Sequence, residues 1–136
     1  MSVHLGILQT DSVLEDLQPR FGDYPQMFEG LFREQDPEMT FTTYDVQHAL
    51  PDSLECDAYL ITGCKLSVYD DLPWIRELAS FVRQAIEAKK KILGICFGHQ
   101  IMASTFGGEV RRSTGDVCIG IKKFVQTDGH TFNRFV

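Results

Sequence analysis

A chain of 136 residues, 43% of them hydrophobic, is long enough to bury about two-thirds of its unfolded surface in one core without a disulfide or metal staple. Its net charge of -6, with no basic cluster larger than Lys89-Lys90-Lys91, argues against a nucleic-acid partner. The N-terminal "MSVHLGILQTD" lacks a basic leader region and nowhere do about eighteen apolar residues follow one another, so no membrane segment is expected and the cytoplasm is the expected location.

In chain order, "VHLGILQ" from Val3 to Gln9 is mostly apolar and stops at Thr10-Asp11-Ser12, as a buried strand ending in a loop does. After the turn-like Gly22-Asp23, "YPQMFEGLFREQ" places Met27, Phe28, Leu31 and Phe32 on one face of a helix. Met39 to Val46, "MTFTTYDV", is rich in β-branched and aromatic residues, and "AYLITG" from Ala58 to Gly63 is apolar up to its glycine; both read as strands. The clearest helix runs from Pro73 to Ala88, where Trp74/Ile75, Leu78, Phe81/Val82 and Ala85/Ile86 recur with helical period behind a proline suited to a first turn. "KILGICF" then reads as a continuous apolar strand, and "GHQIMASTFGG" as a helix sharing Ile101, Met102, Thr105 and Phe106 on one face and stopped by Gly107-Gly108. Between Glu109 and Thr127 one or two further strands are expected. Strands alternating with helices imply an α/β fold, a mainly parallel sheet sandwiched between helices with right-handed crossovers.

Cys56, Cys64, Cys96 and Cys118 contain no C-x-x-C spacing, so neither a metal nor a disulfide framework is expected. Cys96 has a distinctive place, within Gly94-Ile95-Cys96-Phe97-Gly98 at the join of an apolar strand and a helix N-terminus. This is the cysteine counterpart of the G-x-S-x-G elbow, in which flanking glycines permit a sharp strand-to-helix turn that lifts the side chain out of the core. Backbone N–H groups and the positive end of the helix stabilise negative charge on a sulfur held there. The competing reading of any single cysteine is a small buried hydrophobe. Upstream, Thr62-Gly63-Cys64 offers a second strand-to-loop turn whose amides can face the same pocket.

These segments together resemble the class I glutamine amidotransferases, in particular stand-alone members similar to GMP synthase and the plant γ-glutamyl peptidases. The resemblance spans nearly the whole chain. It is carried by the apolar first strand, Phe21-Gly22-Asp23-Tyr24-Pro25, Thr62-Gly63-Cys64 running into Ser67-Val68-Tyr69-Asp70, and "KKILGICFGHQI" closing with Gly107-Gly108. It implies a flavodoxin-like three-layer α/β sandwich, residues 1–136 forming the N-terminal part of one such domain, and glutamine or a γ-glutamyl compound as substrate. It implies further that Cys96 attacks the side-chain amide of glutamine, releases ammonia and leaves a γ-glutamyl thioester for water to hydrolyse. By the same resemblance the Phe97 and Cys64 backbones are oxyanion donors, Gly63 permits the donor turn, and Gln100 holds the glutamine end of the substrate. Cys64 stands where glycine is usual in the family. No cofactor is implied; an ammonia-accepting synthase is the implied partner.

A cysteine amidase also needs a base and a carboxylate to orient it, and the family supplies a His-x-Glu or His-x-Asp pair well downstream of the cysteine. None of His4, His48, His99 or His130 lies in such a pair, so the chain is expected to be C-terminally truncated relative to the family domain. Two alternatives stand beside the glutaminase. One is a γ-glutamyl peptidase acting on glutathione-like amides; the other is a catalytically incomplete binding module. A different class of cysteine α/β enzyme, with histidine directly after the nucleophile, is disfavoured by Phe97.

Overall fold

A computed structural model of the chain describes residues 2–111. Four strands and four helices follow in the order β1 (His4–Gln9), α1 (Gln18–Phe21), α2 (Tyr24–Gln35), β2 (Thr40–Asp45), β3 (Ala58–Ile61), α3 (Pro73–Glu87), β4 (Lys91–Gly94) and α4 (Phe97–Thr105). The strands form one sheet in the order β2-β1-β3-β4 with every neighbour parallel. The strands expected beyond Glu109, and His130, lie outside the described residues or at their edge.

Alternation along the strands divides the core into two layers. On one face Leu5 and Ile7 of β1 and Leu60 of β3 pack with Phe28 and Phe32 of α2. On the other, Leu8, Tyr59, Ile61 and Ile92 pack with α3 and with Phe97 and Ile101 of α4. The result is a three-layer α/β sandwich. Helix α3 buries Ile75, Leu78, Phe81, Val82 and Ala85, and the Phe81 ring meets Tyr59 edge-on at 5.2 Å. Each large side chain so buried contributes about 1.5–3 kcal/mol, which is why this amphipathic segment holds as a helix.

Helix α2 starts sharply. Gly22 has φ 75°, a value glycine adopts at no steric cost, and Asp23 caps the helix through a capping box with Gln26. Its buried face is narrower than the sequence spacing predicts, because Met27 and Leu31 are 46% and 56% exposed while Phe28 and Phe32 reach the sheet. The one-turn helix α1 has no buried residue and leaves no periodic signal. The apolar run "KILGICF" does not continue as a strand: β4 ends at Gly94 and Phe97 already opens α4. Leu93 is 46% exposed, since among the described residues no helix packs on that face of β4. No helix among the described residues is long and apolar enough to cross a membrane.

Candidate functional site

In a parallel α/β sheet the carboxyl ends of the strands open onto the loops that bind and react. Here β3 and β4, paired from Ala58 and Lys91 to Ile61 and Gly94, deliver Thr62-Gly63-Cys64 and Ile95-Cys96 side by side. The two turns touch: a Cβ placed on Gly63 would lie 3.6 Å from Cys96 Cβ.

The β4–α4 turn is made by backbone packing. Gly94 lies against Gly98, so that a Cβ on Gly94 would come within 2.5 Å of the Gly98 carbonyl carbon. Gly98 in turn rests on β3, where a Cβ would meet Ile61 O at 2.6 Å. Ile95 N–H donates to Ile61 O at 3.0 Å and Gly98 N–H to Ile95 O at 2.9 Å, closing the turn. Between these anchors Cys96 takes φ 54° and ψ -103°, a conformation L-residues avoid unless the surroundings impose it. Phe97, fully buried beneath it and stacked near Trp74 at 5.6 Å, fixes the start of the helix. The Cys96 side chain is left exposed.

The β3 exit is held by hydrogen bonds instead. Thr10, at the end of β1, and Thr62 are both buried. Thr10 N–H donates to Thr62 Oγ1 at 3.0 Å, and Thr10 Oγ1 donates to the Thr62 and Gly63 carbonyls, each at 3.0 Å. Lys65 N–H donates to Asp11 Oδ2 at 3.0 Å. Among the described residues the backbone N–H groups of Cys64 and Phe97 have no acceptor. The structure therefore gathers Cys96, Phe97, Gly63 and Cys64 at one locus. Gln100 sits one helical turn further on, half-buried, with its N–H donated to Cys96 O at 3.0 Å.

A third segment completes the surroundings. Asp23 accepts from the N–H groups of Val13 and Tyr24, each at 2.8 Å, and from Gln9 Nε2 at 2.9 Å. Burial raises its carboxyl, but these donors and the Ser12 hydroxyl outweigh burial and hold it below its ordinary 3.8. Tyr24, at the start of α2, is pushed above its ordinary value by burial and then by Asp11, Asp23, Cys96 and Cys64. Its phenol is thus neutral and able to donate near the two thiols. Tyr24, Asp11 and the Thr10–Thr62 pair carry no role in the sequence reading. Only the adjacency of Thr62 to Gly63 and of Tyr24 to the Asp23 cap signals them.

The three described histidines are dispersed. His4 bonds the Thr40 and Thr42 hydroxyls at the opposite end of the sheet, and His48 pairs with Asp45 at 2.9 Å. His99 is exposed on the first turn of α4.

With that geometry in place, residues 26–135 match the family model described as glutamine amidotransferase class-I. The chain is 32% identical to a glutamine amidotransferase-like protein of Schizosaccharomyces pombe, over 79% of this chain and 49% of that protein. It is 33% identical to γ-glutamyl peptidase 5 of Arabidopsis thaliana, over 75% of this chain and 41% of that protein. The chain spans about half the length of the curated relatives it matches. In fold it is similar to the crystal structure of a glutamine amidotransferase from Methylobacillus flagellatus, with a TM-score of 0.61 at 24% identity, covering 84% of this chain and 43% of that one.

Proposed function

We propose that this chain, which belongs to the glutamine amidotransferase class-I family, carries the nucleophile half of a cysteine amidase that hydrolyses the side-chain amide of glutamine. The observation that carries the reading is the forced backbone of Cys96, φ 54°, facing a turn whose amide at Cys64, like that of Phe97, has no acceptor among the described residues. The Cys96 thiolate attacks the amide carbon, and the oxyanion that develops accepts from Phe97 N–H and Cys64 N–H. Two such donors contribute about 3 kcal/mol or more to the transition state. Collapse breaks the carbon–nitrogen bond; the nitrogen takes a proton and leaves as ammonia, and a γ-glutamyl thioester remains. Water then adds to the thioester, giving glutamate and returning the thiol. Gln100 binds the glutamyl end of the substrate. Both steps require a proton carrier, and a synthase that consumes ammonia is the partner such chemistry serves.

A second reading is favoured by the plant relative named for γ-glutamyl peptidase activity. The nucleophile, the oxyanion donors and the thioester are shared, and only the leaving group changes from ammonia to the amine of a glutathione-like amide. One experiment addresses both. Diazo-oxo-norleucine, a glutamine-shaped electrophile, is expected to alkylate Cys96 of this chain and to leave the Cys96→Ala variant unmodified. Protection by glutamine supports the glutaminase, and stronger protection by glutathione supports the peptidase. An adduct on Cys56, Cys64 or Cys118 with Cys96 untouched contradicts both.

A further inference from the structure

We infer that a polar cleft at the exits of β1 and β2 is a leaving-group subsite, which makes the substrates γ-glutamyl amides whose amine part carries a positive charge. The inference rests on the reading of Cys96 as the nucleophile that attacks a γ-glutamyl amide. The cleft has a volume of about 200 Å³ and is lined by residues 9–12 at the end of β1 and by Asp45, Gln47 and His48 at the end of β2. None of these lining residues is apolar, and none is a lysine or an arginine.

The cleft shares a wall with the Cys96 site. Thr10 lines it, and the hydroxyl of Thr10 donates to the Thr62 and Gly63 carbonyls, each at 3.0 Å. Asp11 lines it too, and accepts from Lys65 N–H at 3.0 Å, one residue beyond Cys64. The strand order β2-β1-β3-β4 puts two strand spacings of about 4.8 Å between β1 and β4, so the cleft begins roughly 10 Å from the exit that carries Cys96. An extended chain of about three residues covers that span. With Gln100 of α4 assigned to the glutamyl end, the side of Cys96 that faces Gly63 is left for the leaving group.

The lining presents acceptors that are held in place but not used up. Gln47 Nε2 donates to Thr10 O at 2.6 Å, which orients the amide, and Gln47 Oε1 has no donor among the described residues. Asp45 takes one donor on each carboxylate oxygen, Gln47 N–H at 3.3 Å and His48 Nδ1 at 2.9 Å. Asp11 likewise takes Ser12 N–H at 2.9 Å and Lys65 N–H at 3.0 Å. A carboxylate accepts about four hydrogen bonds, so each acid retains room for roughly two more. An ammonium group brings only donors, and its hydrogen bonds to a carboxylate are about twice as strong as neutral ones. A terminal carboxylate in the same place meets two like charges and no cation from the lining. The cleft therefore selects for charge in the part of the substrate that leaves, while the Cys96 turn handles the glutamyl part common to all of them.

The test follows alkylation of Cys96 by diazo-oxo-norleucine in the 136-residue chain at low ionic strength, in competition with two amides. One is γ-glutamyl-glycyl-glycyl-lysinamide, and the other carries glutamate in place of its lysine, so they differ chiefly in the sign of one charge. The lysine amide is expected to half-protect Cys96 at a concentration about tenfold lower, from attraction in one case and repulsion in the other at part-exposed carboxylates. That ratio is expected to fall toward unity in about 1 M salt. In Asp45→Asn, with its fold verified by a melting curve and its alkylation rate without amide unchanged, the ratio is expected to drop about threefold. Equal protection by the two amides overturns the inference, as does a preference for the glutamate amide or a ratio that survives intact in Asp45→Asn. If glutamine protects Cys96 and neither amide does, the cleft assignment alone is wrong. If no γ-glutamyl compound protects Cys96, the reading beneath it falls as well.

Discussion

The exits of β3 and β4 lie side by side, and each presents an N–H without an acceptor among the described residues, yet they are built by different forces. At β4 the geometry is steric: Gly94 packs on Gly98 and Gly98 on Ile61, and the cap residue Cys96 makes no side-chain bond to the helix. At β3 the geometry is polar: Thr10, Thr62 and Asp11 tie the backbone through hydrogen bonds, while a Cβ placed on Gly63 would meet nothing closer than 3.6 Å. A turn made by close backbone contact can hold a strained residue, because nothing nearby can yield. A turn made by hydrogen bonds holds a donor in place while leaving room beside it. The nucleophile sits in the first and an amide for the oxyanion in the second.

The contrast predicts where each turn breaks. Gly98→Val is expected to do most damage, since its Cβ meets Ile61 O at 2.6 Å and Ile61 Cβ at 2.8 Å and neither can move without disturbing β3. A loss of about 3 kcal/mol or more, read by chemical denaturation, is expected. A variant with wild-type stability would show that the elbow has slack. Thr62→Val keeps the shape at β3 but leaves the buried Thr10 N–H without its acceptor, a cost of about 1–3 kcal/mol. Stability unchanged by this replacement would mean that the polar ties do not hold the turn.

The smallest effect is pH-dependent. The Asp23 carboxyl is held below its ordinary 3.8 in the folded chain, so its contribution is fully present above that value and is lost as pH falls through the folded-state value. Asp23→Asn retains a good helix cap but not this titration. The melting temperature of the wild type is expected to exceed that of Asp23→Asn at pH 7, with the difference shrinking as the pH drops below 3.8. A difference independent of pH would show that the carboxylate's charge is immaterial.

The layered fold was legible because its signals are local. Apolar runs mark β1 and β3, and the helical period of α3 coincides with the residues it buries. Gly94, Cys96 and Gly98 could be singled out from their spacing, and the structure supplies the reason for that spacing in contacts among Gly94, Gly98 and Ile61. Other features depend on what lies across the fold. Met27 and Leu31 share a stripe with Phe28 and Phe32 in sequence, but the sheet receives only the phenylalanines. "KILGICF" reads as one strand because apolarity does not record where the backbone of Gly98 cuts the run short. The Thr10–Thr62 tie joins residues fifty-two apart with no periodicity to announce it. Tyr24 comes near the thiols only once Asp23 has fixed the start of α2.

The elbow makes Cys96 the reactive thiol among Cys56, Cys64, Cys96 and Cys118, which limiting iodoacetamide at pH 7 with peptide mapping checks. Cys96 is expected to be labelled first, ahead of the half-buried Cys64 and the buried Cys56, with that preference abolished in Gly98→Val. Preferential labelling of Cys56 or Cys118 in the folded wild-type chain would contradict it.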